Sequence, residues 1–226
     1  MRTPQEEPQM QLQYRRSFVK LASAALAASL LVAAPWARAS DEAPDAMIQR
    51  LSNEVLQILK TDKGVQSGDA DRAMAVVDSK IMPHVNFTRM TASAVGPGWR
   101  KASPEQRQRL QHEFKTLLVH TYAGALKQVG DRTVEVLPLR GSPSDKEVIV
   151  RTLVKGKGDP IQLDYRLEKA PGQGGGWKIY DLNVLGVWLV ENYRPQFAQE
   201  IHTAGVDGLI GALAARNKTN ASNGKG

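Results

Sequence analysis

One carboxylate and two tyrosines are the residues of this sequence whose types and spacing could carry out proton transfer. Asp181 directly follows Tyr180 in a predicted β-strand, and Tyr165 lies in the preceding predicted strand. A carboxylate and a phenol that face one pocket can act as a general base and a hydrogen-bond donor. The same residues also fit a structural role, in which Asp181 caps or ends a strand edge. The tyrosine rings would then be packed in the protein with their hydroxyl groups exposed to water. The sequence leaves both hypotheses open.

Other kinds of catalytic or metal site have little support. The chain has no cysteine, which excludes thiolate nucleophiles, cysteine zinc sites, iron–sulfur clusters and disulfides. None of its four histidines has a partner at a zinc-binding spacing. The run Lys155-Gly156-Lys157-Gly158 lacks the frame of a phosphate-binding loop and indicates a hairpin turn. We therefore predict no cofactor and no metal.

Apolar periodicity predicts the helices that surround these residues. The strongest begins at Ser103-Pro104-Glu105-Gln106, a capping box with proline at the first helical position, and carries a wide apolar stripe to about Val129. A short helix capped by Asn86 precedes it. Further helices are predicted over residues 43–60, 70–82, 193–202 and 207–216.

Four strands follow the long helix, and the clearest of them alternates apolar and polar residues over 160–169. The others are predicted over 132–138, 147–155 and 177–184. Short connections between them indicate an antiparallel meander. We predict an α+β fold in which helices pack on a strongly curved, largely antiparallel four-stranded sheet. A long helix across such a sheet makes a cone that holds either a packed core or a pocket.

The first 39 residues have the features of a cleaved export signal. Arg15-Arg16-Ser17-Phe18-Val19-Lys20 resembles a twin-arginine motif, and an apolar run of 14 residues follows over 21–34. This run is too short to span a bilayer, and Ala37-Arg38-Ala39 suits cleavage after Ala39. A membrane anchor and an ordinary secretory signal are the alternatives. We predict export to the periplasm, a single domain over 40–217 and a disordered tail over 218–226.

Charge gives little guidance about partners. Removing residues 1–39 takes away five Lys or Arg and two Glu, so the net charge falls from +7 to +4. This favours acidic partners or anionic headgroups only weakly. The basic residues are scattered along the chain, which argues against nucleic acid.

Two segments of the sequence resemble a known family. The first runs from Gly98-Trp99-Arg100-Lys101 through the capping box to Thr121-Tyr122-Ala123, and the second contains Gly176-Trp177-Lys178-Ile179-Tyr180-Asp181 and Gly205-Val206-Asp207-Gly208. Together they resemble the MlaC, or toluene-tolerance auxiliary, family. One run differs, because Leu185-Gly186-Val187-Trp188 stands where the family usually has an acidic residue followed by Gly-Val-Ser.

The resemblance implies an NTF2-like cone and a carrier rather than an enzyme. Members of the family are soluble periplasmic phospholipid carriers, which shuttle lipid between an outer-membrane lipoprotein complex and an inner-membrane ABC transporter with an MCE-domain subunit. The alternative function is a small-molecule enzyme on the same cone, with Asp181 as base and Tyr165 or Tyr180 as donor. The residues predicted to line a lipid pocket are apolar or amphipathic: Phe87, Met90, Val95, Trp99, Phe114, Leu117, Leu118, Tyr122, Val136, Val150, Leu163, Tyr165 and Trp188.

Overall fold

A computed structural model describes residues 42–126, 132–142, 144–173 and 176–223. Helices come first, strands follow, and a long helix completes the order. The helices are α1 (Pro44–Thr61), α2 (Lys63–Ser67), α3 (Ala70–Val76), α4 (Phe87–Val95), α5 (Gly98–Lys101), α6 (Pro104–Leu126) and α7 (Leu189–Asn223). The strands are β1 (Thr133–Val136), β2 (Glu147–Lys155), β3 (Ile161–Lys169), β4 (Trp177–Val184) and β5 (Val187–Trp188).

The strands form one antiparallel sheet in the order β1-β2-β3-β4-β5. The α+β class and the antiparallel sheet are confirmed, but the sheet is open and uncurled and has five strands, where we predicted four strands with strong curvature. The register of β3 and β4 shifts between Arg166 and Leu167, so that Arg166 pairs with Asp181 and Leu167 with Ile179. This bulge leaves Tyr180 as an extra residue on β4.

Local signals explain where the helices begin. In the predicted capping box, the Ser103 amide donates to Gln106 Oε1 at 2.9 Å and the Gln106 amide donates to Ser103 Oγ at 3.2 Å. Asn86 caps α4 as predicted, because its side chain accepts from the Arg89 amide. The helix predicted over 70–82 is α-helical only to Val76 and continues as a π-helical turn.

The C-terminal region matches the prediction in its two helices and differs from it in its tail. The helices predicted over 193–202 and 207–216 are both present and meet at a kink within α7, where Gly205 has the non-helical φ of 71° and ψ of −171°. This backbone conformation is essentially restricted to glycine. The helix continues to Asn223, through most of the segment that we predicted to be a disordered tail, while 224–226 lie outside the described residues. The predicted export signal also lies outside them.

The buried apolar residues form two main clusters. The helical cluster joins α4, the α5–α6 connection, α6 and α7; its members are Phe87, Met90, Ala94, Val95, Ala102, Leu110, Phe114, Leu117, Val190, Tyr193, Phe197, Leu209, Ile210 and Leu213. The sheet cluster joins α1 to one face of the sheet; its members are Met47, Ile48, Leu51, Val148, Val150, Leu167, Trp177 and Ile179. The stripe of α6 therefore packs mainly on other helices, and α1 covers the sheet.

Candidate functional site

One half of the inner face of the sheet is only partly covered. We call this area the sheet wall and define it as Leu163, Tyr165, Leu182 and Val184, which are all half-buried. Leu163 pairs with Val184, and Tyr165 pairs with Leu182, so the four side chains form two neighbouring rows on one face. The cross-strand partners of β3 on β2 place these rows on the same face as Val150, which α1 buries. Tyr165 lies at the border of the covered part, because it packs against the sheet cluster and its hydroxyl interacts with Ser52 of α1 and with Thr152. The apolar face extends beyond it through Leu163, Leu182 and Val184.

The last turns of α6 provide a second half-buried apolar surface. We call Leu118 and Tyr122 the helical wall. Leu118 packs against the helical cluster, and Tyr122 lies near Tyr193 of that cluster. Burial, with a smaller contribution from Tyr193, raises the pKa of Tyr122 above its usual value, so its hydroxyl stays protonated and can donate a hydrogen bond.

The division of the core is the feature that suggests a binding site. A domain of this size usually has one contiguous core with small satellites. Here the helical cluster and the sheet cluster are separate, and both contact the half-buried Val85. Half-buried apolar side chains of this kind suit the lining of a site for an apolar ligand. Two open surface depressions of about 290 and 520 Å³ lie elsewhere, beside α1 and α3 and on the outer face of the sheet.

The structure sorts the thirteen predicted lining residues into three groups. Four lie in the two walls, namely Leu118, Tyr122, Leu163 and Tyr165, and of these Leu118 and Tyr165 also pack against the clusters. Eight belong to the clusters or pack at their edges: Phe87, Met90, Val95, Trp99, Phe114 and Leu117 with the helical cluster, and Val136 and Val150 with the sheet cluster. The remaining residue, Trp188, lies in neither wall. It pairs with Asn183 and lies beneath the guanidinium of Arg166, 3.9 Å from the ring centre, on the outer face.

Leu182 and Val184 are wall residues that sequence reasoning missed. An alternating strand would place Ile179, Asp181 and Asn183 on one face, with Leu182 and Val184 on the other. The bulge at Tyr180 changes this alternation, because Ile179 and Leu182 both share the inner face with residues of β3. The only signal that could have found them is the apolar character of both side chains.

Asp181 has a structural role. It is 1% exposed, and its Oδ1 accepts from the amides of Leu182 at 2.9 Å and Val190 at 3.1 Å, while its Oδ2 accepts from Arg166 at 3.0 Å. Burial raises the pKa of Asp181, and these hydrogen bonds act in the opposite direction. Because Val190 lies in the first turn of α7, Asp181 fixes the start of that helix to the sheet.

Neither tyrosine meets Asp181 in the arrangement that the enzyme hypothesis requires. The hydroxyl of Tyr180 donates to Glu147 at 2.8 Å, and burial raises the pKa of Tyr180 to about 12. The guanidinium of Arg89 lies over the same ring, 3.6 Å from its centre. Tyr165 points to the inner face, whereas Asp181 pairs with Arg166 on the outer face.

The described residues offer no metal site and no membrane span. Among them, no group of three or more His, Asp or Glu side chains is placed to hold a metal ion. Within the same ranges, none of the helices combines the length and the apolar character that crossing a bilayer requires.

Comparison with known proteins identifies the family. The model of the MlaC protein family matches residues 49–215, which include both walls, the helical cluster and all of the sheet cluster except Met47 and Ile48. The chain belongs to the MlaC family. The resemblance that the sequence segments suggested is thereby confirmed.

Two curated proteins and one solved structure are similar to this MlaC family member. Toluene tolerance protein ttg2D of Pseudomonas putida is 26% identical over 192 residues, 82% of this chain and 88% of that protein. The intermembrane phospholipid transport system binding protein MlaC of Haemophilus influenzae is 21% identical over 173 residues, 76% of this chain and 80% of that protein.

The solved structure is a phospholipid-binding protein from Ralstonia solanacearum in complex with a phospholipid. It is 42% identical, has a TM-score of 0.74, and the match covers 78% of this chain and 98% of that one. This similarity is consistent with the NTF2-like fold that the family implies.

Proposed function

We propose that this protein is a soluble periplasmic phospholipid carrier that holds the acyl chains of a diacyl lipid between the sheet wall and the helical wall. The observation that carries the proposal is the Ralstonia solanacearum structure, because a protein 42% identical over nearly its whole length contains a phospholipid. The divided core supports it independently, since it leaves half-buried apolar surface on the sheet and on α6.

The chemistry of the walls fits a carrier. Holding a lipid requires apolar lining and no nucleophile, and Leu118, Leu163, Leu182 and Val184 supply such lining. The phenol of Tyr122 adds a polar atom that could donate to an ester oxygen, whereas the hydroxyl of Tyr165 already interacts with Ser52 and Thr152. The enzyme hypothesis, by contrast, needs Asp181 to be free as a base, and all the contacts of its carboxylate are structural.

The free energy of moving acyl chains out of water indicates how such a carrier must release its lipid. Two acyl chains of about 15 methylenes, at about 0.8 kcal/mol for each, give roughly 24 kcal/mol of transfer free energy out of water. Spontaneous loss of the lipid to water is therefore very slow. Transfer requires a partner or a membrane that offers a continuous apolar path, and the binding site has only to match the affinity of a bilayer for the same lipid.

The predicted export signal and the family suggest the location and the partners. We place the carrier in the periplasm after cleavage near Ala39. Its partners would be an outer-membrane lipoprotein complex and the MCE-domain subunit of an inner-membrane ABC transporter. The name of the Haemophilus influenzae relative, an intermembrane phospholipid transport system binding protein, fits this assignment. The phospholipid is cargo, and the proposal includes no cofactor.

Mass spectrometry of an organic extract tests the proposal. The protein purified from its host without added lipid should yield about one diacyl phospholipid per chain, with headgroups in the proportions of the host membrane. The headgroup should stay near water, because a charged group that is buried without partners is strongly disfavoured. The emptied protein should also take up labelled phospholipid from vesicles.

A pair of variants sharpens this test. Leu182→Glu places a charge in the sheet wall and should abolish lipid uptake. Ile149→Glu places the same charge on the outer face, where Ile149 is already 42% exposed, and should leave uptake unchanged. A protein that carries no lipid and takes none up from vesicles would refute the carrier function.

A further inference from the structure

The turn between β4 and β5 has an unusual residue in its first position. Leu185 has a φ of 53° and Gly186 a φ of 89°, so both central residues of this two-residue turn are left-handed. Hairpins of this type prefer Asn-Gly or Asp-Gly, because a larger side chain crowds the neighbouring carbonyl in the left-handed conformation. Leu185 is the one non-glycine residue with a positive φ in the described part of the chain.

The same turn exposes apolar side chains. Leu185 is 65% exposed and Val187 is 51% exposed. We call Leu185, Gly186 and Val187 the apolar tip. Its backbone is held firmly, because the Leu185 amide donates to the Gln162 carbonyl at 3.0 Å and the Gly186 amide donates to Asn183 Oδ1 at 2.8 Å. Folding stability explains neither the strained leucine nor its exposure, which points to a function in binding.

The apolar tip is continuous with the sheet wall. Val187 pairs with Val184, and Val184 pairs with Leu163, so these three side chains form one row on the inner face. Exposure increases along this row, from half-buried at Leu163 and Val184 to exposed at Val187. The row therefore connects the proposed lipid site to the surface at the end of β4.

Cationic groups accompany the tip. The turn that joins β2 to β3 lies at the same end of the sheet, because β4 ends where β3 begins. Lys155 ends β2, and the turn itself carries the exposed Lys157 and the exposed Asp159. Lys155 forms an ion pair with Glu135. Behind the tip, the ring of Trp188 stacks with Arg166. The apolar tip thus has a lysine and an amphipathic tryptophan near it. Surfaces that contact lipid headgroups have this composition.

We propose that the apolar tip inserts into the surface of a phospholipid bilayer, with Lys157 in contact with anionic headgroups, when lipid enters or leaves the protein. A stable protein interface buries roughly 1,200–2,000 Å² and needs a broad complementary surface. The apolar tip offers only two side chains, which is too little for such an interface but enough for shallow, reversible insertion. The inference rests on the proposed function for its role in lipid transfer, whereas bilayer binding itself can be measured separately.

Vesicle sedimentation tests the inference on the full mature chain with its bound lipid. One set of vesicles contains phosphatidylcholine alone, and the other adds phosphatidylglycerol. The wild-type protein should bind both and bind the anionic set more tightly. Leu185→Asn should weaken binding to both by roughly tenfold, since a leucine that is 65% exposed has about two-thirds of its transfer free energy left to gain. Lys157→Gln should weaken binding to the anionic vesicles alone, by roughly fivefold.

Two controls keep the test independent of folding. Asparagine suits the left-handed turn, so Leu185→Asn should unfold at the same temperature as the wild type or higher. Ile149→Thr removes an exposed apolar residue from the outer face and should not change vesicle binding. Absence of wild-type binding, or equal binding by Leu185→Asn, would overturn the inference. So would a Leu185→Asn protein that keeps vesicle binding but loses transfer to a protein acceptor, because the tip would then be a protein contact.

The lipid content of the same samples separates this inference from the proposed function. If Leu185→Asn and the wild type both contain phospholipid but neither binds vesicles, the carrier function stands and the bilayer contact is refuted. If the wild type contains no phospholipid yet sediments with vesicles, the carrier function fails and the bilayer contact stands.

Discussion

Two leucines of the same strand provide a sharp test of where packed core ends and binding site begins. Leu163 and Leu167 both lie on the inner face of β3. Leu167 is completely buried in the sheet cluster, whereas Leu163 is half-buried in the sheet wall. If the wall binds acyl chains, Leu163→Ala should mainly weaken lipid binding, and Leu167→Ala should mainly weaken the fold.

The expected magnitudes follow from burial. Truncating a fully buried leucine costs about 2–5 kcal/mol, and each kcal/mol lowers the unfolding temperature of a domain of this size by about 2–4 °C. Leu167→Ala should therefore lower the unfolding temperature by roughly 5–15 °C. A half-buried leucine gives up about half of its transfer free energy, so Leu163→Ala should lower the free energy of unfolding by about 1 kcal/mol. The same lost surface should weaken lipid binding about five- to tenfold.

Two measurements on delipidated protein separate these effects. Bound lipid stabilises the native state and would hide a difference between the variants, so the unfolding temperature must be measured without lipid. Lipid affinity is then measured by competition for a labelled phospholipid between protein and vesicles. If Leu163→Ala loses as much stability as Leu167→Ala and still binds lipid like the wild type, the sheet wall is ordinary core and the proposed site is wrong.

Two further predictions concern the charged groups on the outer face. Asp181→Ala should lower the free energy of unfolding by about 3 kcal/mol in urea titrations, because it leaves Arg166 and two backbone amides without their acceptor; an unchanged urea midpoint would contradict the structural role. Glu147 should contribute to stability at neutral pH, because hydrogen bonds from Arg89 and then Tyr180 lower its pKa below the usual 4.5. That contribution is present above pH 4.5 and is lost as the pH falls through the lowered pKa, so Glu147→Gln should show a smaller drop in urea midpoint between pH 6 and pH 3 than the wild type.

Local signals predicted most of the fold. The capping box at Ser103 and the alternation of β3 each depend on interactions within a few residues, and the structure places both elements within a few residues of the predicted positions. The elements that sequence reasoning missed depend on distant partners. The two-residue strand β5 exists only through pairing with β4, and the end of α7 packs through Asn217, whose amide donates to the Glu113 carbonyl at 2.9 Å.

The candidate site was less predictable, because core and lining have the same composition. Phe114 and Leu118 lie four residues apart on one face of α6, yet Phe114 is fully buried and Leu118 only half-buried. The difference arises from the neighbours, since Phe114 stacks with Phe87, Tyr193 and Phe197. The face on which Trp188 lies could not be predicted for a similar reason, because the face of a two-residue strand follows from its turn and not from periodicity.

The divided core also answers an energetic problem that any lipid carrier faces, namely that it must stay folded when empty. A rigid, dry cavity of roughly 300–1,000 Å³ would cost roughly 7–24 kcal/mol, at about 24 cal/mol per Å³. That is as large as the whole stability of a typical domain, which is about 5–15 kcal/mol. Two clusters that each pack separately would avoid this cost, because the half-buried side chains of the walls can admit water while both clusters stay intact. If the walls bind acyl chains, as we propose, stability without cargo and affinity for cargo would arise from different residues of the same fold.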